Sequence, residues 1–134
     1  MQINLRNYDF VTIIRPYAIQ LLSQLYMQNH YDIGIFSMGS PDYVYTCTEL
    51  LKQEVERYIG KSVPDLFNVV KNKSHSSVNS SKMRYKDLAV TGYNPDNVLL
   101  VDNLVMNFFA NKSSGIPIFG YTQTNILHRE CNNG

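Results

Sequence analysis

Four side chains in this sequence have the chemistry to hold a phosphoryl group and a hard metal ion: Ser37, Lys86, Asp102 and Asn103. A hydroxyl donates to a phosphoryl oxygen and an ammonium neutralises it, while a carboxylate and an amide offer oxygen ligands to Mg2+. Asn97-Val98-Leu99-Leu100-Val101-Asp102-Asn103 is the most informative setting among them. Consecutive Val and Leu residues bounded by polar ones read as a strand buried on both faces, as in a parallel sheet. A carboxylate at the C-terminal end of such a strand sits where open α/β sheets bind ligands. Taken alone, Asp102 and Asn103 read equally well as the opening of a turn.

The elements that must position these residues follow from the pattern along the chain. Phe10 to Ile14 is β-branched and stops at Arg15-Pro16, which reads as a strand ended by proline, with Pro16 in the first turn of a helix. Ile19, Leu22, Leu25 and Tyr26 give that helix its apolar stripe as far as about Asn29. Tyr31 to Phe36 is a second strand, ending at Ser37. Ser40-Pro41 then caps a helix that turns Tyr43, Thr46/Cys47, Leu50/Leu51 and Val55 to one side and stops near Gly60. Leu66 to Val70 reads as a short strand and Lys71 to Lys82 as a polar loop. Lys86-Asp87-Leu88 opens a short helix or turn ending at Gly92, and Asn94-Pro95-Asp96 turns the chain into the strand Val98–Val101. Phe108-Phe109-Ala110 is an apolar turn, Ile116-Pro117-Ile118 a last strand, and 122–134 an irregular tail.

Strands alternating with helices imply βαβ units and a mostly parallel sheet in a single domain over 1–134. Right-handed crossovers bring the ends of strands 33–36 and 98–101 to one rim, where Ser37, Asp102 and Asn103 converge and Lys86 approaches. With 12 Lys+Arg against 11 Asp+Glu, no bulk field points to nucleic acid or an anionic membrane. No apolar run approaches the roughly 20 residues of a membrane span. Two distant cysteines, Cys47 and Cys131, and no signal-peptide pattern suggest an intracellular chain, nuclear or cytoplasmic, with reduced thiols.

Arg15-Pro16-Tyr17, then Ile35-Phe36-Ser37-Met38-Gly39 with Tyr43, then Tyr85-Lys86-Asp87-Leu88 leading to Val101-Asp102-Asn103 stand in a particular order. Together they resemble the CTD-phosphatase, or NLI-interacting-factor-like, branch of the haloacid dehalogenase (HAD) superfamily. That branch shows Arg-Pro-Gly or Arg-Pro-His, Phe-Thr-Ala-Ser followed by Tyr, Lys-Asp-Leu, and a buried strand ending in Asp-Asn. The resemblance implies a three-layer, Rossmann-like α/β fold and a Mg2+-dependent phosphatase acting on phosphoserine or phosphothreonine in a protein or peptide. Carried over residue by residue, it makes Ser37 and Lys86 phosphate-binding, with Lys86 and Asp102 catalytic. Asn103 becomes a ligand to Mg2+, and Asp102 either joins the same shell or holds the lysine. Met38 and Gly39 depart from Ala-Ser.

The larger departure is that the family's Asp-X-Asp-X-Thr, source of the aspartyl nucleophile and the acid/base, occurs nowhere in this sequence. Its nearest echo, Asp9-Phe10-Val11-Thr12, puts Val11 where the second aspartate belongs. The first catalytic strand is thus expected to be missing from between strands 33–36 and 98–101, which leaves unpaired edges. Three expectations follow: the protein continues upstream of Met1, the sheet closes on itself, or a partner chain donates the strand. The alternative function is a pseudophosphatase that kept the fold as a binding or scaffold protein. Either way, Asp102→Asn or Lys86→Ala is expected to abolish turnover in an active form with little unfolding.

Other candidates read more simply as structure. His30, His75 and His128 lack the cysteine companions of a zinc site. Cys47 reads as a small buried apolar residue, and Tyr43 and Tyr45 as packing groups. Lys71, Lys73, Lys82 and Arg84 read as a solvated loop.

Overall fold

The computed structural model describes residues 2–4 and 11–121. Phe10 of the first expected strand and the tail 122–134, with His128 and Cys131, lie outside the described residues. Strand β1 (Gln2–Asn4) pairs antiparallel with β2 (Val11–Ile13), the piece of the first expected strand that falls within them. Helix α1 (Ala18–Gln28) begins two residues after Pro16, because Tyr17 adopts a left-handed conformation (φ 67°) and Asn29 closes the helix in the same region. Strand β3 (Gly34–Phe36) runs parallel to β4 (Val69–Lys71), the two joined by α2 (Pro41–Ile59). Ser40 caps α2 by accepting the Tyr43 amide at 3.3 Å, and Gly60 ends it at φ 76°.

The two helices pack on each other over a small core. Val55, Val63 and Leu66 are fully buried, with Ile19, Leu22, Tyr26, Ile33, Ile59 and Phe67 against them. Each such aliphatic side chain contributes about 1.5–3 kcal/mol when removed from water. The buried residues of α2 are Val44, Thr48 and Val55: Val55 as expected, but Val44 and Thr48 one position on from the expected Tyr43 and Cys47. Tyr45 is exposed. Leu66 belongs to this core rather than to a strand, and the strand begins only at Val69.

The second half is built from short pieces. The polar stretch after Lys71 holds a hairpin where a loop was expected: β5 (Ser77–Val78) pairs antiparallel with β6 (Arg84–Tyr85). Its turn is made by Asn79, whose carboxamide oxygen accepts the amides of Ser81 and Met83, both at 2.9 Å. Strand β7 (Leu100–Asp102) lies parallel to β8 (Gly115–Pro117). Phe108 packs on Gly115 so closely that a Cβ there would stand 2.5 Å from its ring.

The parallel pairings and flanking helices make the chain α/β, but among the described residues the four pairings are separate two-stranded sheets rather than one mostly parallel sheet. Among the described residues β3 and β7 each have a single ladder partner. Val101, in the middle of β7, is 54% exposed, and Leu99, just before the strand, is 70% exposed. The expectation of a strand buried on both faces is therefore not met: one face is covered by the Val105–Phe108 turn, the other is open.

Candidate functional site

Lys86 follows β6 directly and is aimed by anchors on both sides. The ring of Tyr85 meets Phe109 edge-on at 6.1 Å. Leu88, buried, donates its amide to the Asn111 carboxamide at 3.0 Å, and Asp87 caps the 3-10 turn Leu88–Thr91 by accepting the Ala89 amide. The Lys86 ammonium donates to Oδ2 of Asp102, the last residue of β7. Lys86 is 6% and Asp102 7% exposed, so this is a buried ion pair.

Asp102 is well furnished with donors. Its Oδ2 also accepts Asn107 Nδ2 at 3.1 Å, its Oδ1 accepts the Leu104 amide at 2.9 Å, and its carbonyl accepts the Ile118 amide at 3.0 Å. Burial alone pushes the Asp102 carboxyl up. The hydrogen bond from Lys86, the Leu104 amide, the lysine charge and Asn107 outweigh it and hold the group below the ordinary aspartate range. The carboxylate is therefore ionised at neutral pH and oriented toward the lysine.

The carboxyl end of β3 faces the same ammonium, with Lys86 Nζ 5.7 Å from the Phe36 ring centroid. Ser37, half-buried, comes next. Its amide donates to the Lys71 carbonyl at 3.0 Å and its Oγ accepts the Gly39 amide at 3.0 Å, which leaves the hydroxyl proton for another acceptor. Gly39 passes so close to Tyr43 that a Cβ would stand 2.6 Å from the ring, so glycine is required there by space. Immediately beyond, α2 begins, and its N-terminal amides carry partial positive charge, shared locally with Asp42 in its first turn.

The structure thus joins Lys86 and Asp102 directly and brings Phe36, the residue before Ser37, to the same ammonium. Asn103 stands just past β7 with its side chain exposed and, among the described residues, makes no hydrogen bond. Sequence reasoning missed Asn107 and Phe36. An amide within the apolar run Val105-Met106-Asn107-Phe108-Phe109 was the available signal, because a buried amide needs a polar partner.

Magnesium needs about six oxygens in near-octahedral array, usually one or two carboxylates with water and substrate oxygens. Three of the roughly four acceptor positions on Asp102 are already used, and Asn103 adds one amide oxygen. Among the described residues no group of three or more His, Cys, Asp or Glu could hold a metal ion. Asp102 and Asn103 do not make a magnesium site by themselves.

The family model for NLI interacting factor-like phosphatases matches residues 1–130. The chain belongs to this family. Arg15-Pro16, Ser37, Lys86-Asp87-Leu88 and Asp102-Asn103 all fall inside the matched span. No curated protein matches the chain. No helix among the described residues is long and apolar enough to cross a membrane.

Proposed function

We propose that the rim formed by Ser37, Lys86, Asp102 and Asn103 binds the phosphoryl group of a phosphoserine or phosphothreonine in a protein or peptide, in a HAD-like phosphatase domain of the CTD-phosphatase kind. The observation that carries this reading is the buried Lys86–Asp102 pair at the carboxyl end of β7. A buried ion pair contributes little net stability over apolar packing, so its best physical rationale is to hold an ammonium at the rim. Asp102 holds Lys86 aimed, Lys86 neutralises phosphoryl oxygens, and the Ser37 hydroxyl donates to one of them. Asn103 presents its amide at the outer end. Magnesium dependence, which family membership suggests, calls for carboxylates beyond Asp102.

A second reading, phosphate binding without turnover, is favoured by one observation. The carboxylate at the rim is already committed to lysine. A strand donated by a partner chain to the open edges of β3 and β7 belongs to the same proposal. It would supply ladder partners to both.

Titration of a fluorescent phosphoserine peptide against its unphosphorylated twin tests the binding, and phosphate release measured in parallel separates the two readings. The phosphopeptide should bind more tightly, and Ser37→Ala should weaken it about fivefold, the loss of one hydrogen bond. Equal affinity for the two peptides overturns the assignment. Binding without release selects the scaffold reading.

A further inference from the structure

Arg15 opens the Arg-Pro pair that stands out in the sequence, yet nothing in the rim itself uses it. Its backbone is fixed by Pro16, which restricts the preceding residue, and its carbonyl accepts the Ala18 amide at 3.2 Å at the start of α1. From there its guanidinium reaches a segment more than a hundred residues away. Nη2 donates to the Phe119 carbonyl, and the guanidinium carbon lies 5.4 Å from the Tyr121 ring centroid.

That segment, 118–121, borders the rim. The Ile118 amide donates to the Asp102 carbonyl at 3.0 Å, and a methyl placed on Gly120 would stand 3.5 Å from Asn103 Nδ2. Its large side chain does not bury it, since Phe119 is 94% exposed. Ordering a backbone residue costs about 1–2 kcal/mol, and with little apolar burial the polar clamps must offset it.

We propose that Arg15 is a positioning residue: it pins segment 118–121 along the carboxyl end of β7 and thereby fixes Asn103 at the rim. The functional half of this inference rests on the phosphate-binding reading above, whereas the clamp itself does not. The Arg15 fork holds a carbonyl and covers a ring at once, a combination lysine reproduces only in part.

The test uses the 134-residue chain with Arg15→Met, and with Arg15→Lys as the milder change should the first fold poorly. Without ligand, amide exchange at Ile118 should speed up about tenfold in Arg15→Met and the Asn103 side-chain amide resonances should move, with Arg15→Lys intermediate. Inorganic phosphate, titrated by calorimetry, should bind about tenfold more weakly to Arg15→Met. In an Asn103→Ala background the same change should cost no further affinity, because the effect passes through Asn103. Unchanged Ile118 exchange and Asn103 resonances overturn the clamp. Losses that simply add across the two substitutions overturn the route through Asn103, since a general loss of stability would behave that way. Wild-type protein that binds no phosphate while Arg15→Met still perturbs Ile118 and Asn103 overturns the rim reading and supports the clamp.

Discussion

Replacing Asp102 by Asn puts an amide nitrogen or a neutral oxygen where the Lys86 ammonium now meets a carboxylate, and leaves that charge buried without a counter-ion. Removing one partner of a buried pair costs about 3–5 kcal/mol. Asn keeps one oxygen for the Leu104 amide, so the charge rather than that hydrogen bond dominates. Lys86→Met should cost less, because the carboxylate retains Leu104 and Asn107 as donors and methionine fills the lysine stem's volume. The double variant Lys86→Met/Asp102→Asn should be more stable than Asp102→Asn alone, with a coupling of about 2–3 kcal/mol. In urea, at an m of about 2 kcal/mol/M, Asp102→Asn should lower the midpoint by about 2 M at unchanged m. A large share of a small domain's roughly 5–15 kcal/mol is then lost, so the sequence-based expectation of little unfolding gives way. A double variant less stable than Asp102→Asn, or a midpoint unmoved by Asp102→Asn, would refute the buried-pair argument.

Because the Asp102 carboxyl lies below the ordinary aspartate range in the folded state, its contribution to stability is complete above about pH 3.9 and is lost as pH falls through the lower folded value. Thermal unfolding followed down through this window should show the acid loss in wild type and a shallower one in Asp102→Asn. Tyr17 is 77% exposed at φ 67°, so Tyr17→Gly should relieve left-handed strain at little packing cost and gain about 1 kcal/mol, a rise of about 4 °C in Tm. A fall would show that the tyrosine side chain has a partner worth more than the strain. Gly115→Ala drives a Cβ to within 2.5 Å of the buried Phe108 ring and should cost about 1–3 kcal/mol by urea unfolding, while wild-type stability would mean that β8 can shift freely.

Much of the local structure was legible because it is dictated by short-range chemistry. Ser40-Pro41 and Gly60 set the ends of α2, Asp87 and Gly92 bound the turn after Lys86, and Asn94-Pro95 introduces the one before β7. Tyr17 was not legible in this way: Pro16 was expected in the first turn of α1, whereas Tyr17 turns left-handed and the helix starts at Ala18. The hairpin Ser77–Tyr85 was hidden, because its signal is one Asn side chain folding back on its own turn within a polar run. The first half of the α2 stripe was misplaced by one residue, while Val55 was placed correctly, because half-apolar residues such as Tyr and Thr let neighbouring faces compete.

The sequence by itself determined the family, the helix ends, and the residue types at each strand end that can meet a phosphoryl group. Only the tertiary structure decided that Asp102 spends its carboxylate on Lys86 and Asn107, and that Asn103 is left exposed. It also decided that β7 (Leu100–Asp102) is open on one face, and that Arg15 reaches Phe119 and Tyr121. The physical reason is range: caps and turns are set within a few residues, whereas a buried carboxylate takes its partner from whatever donor the fold brings within about 3 Å.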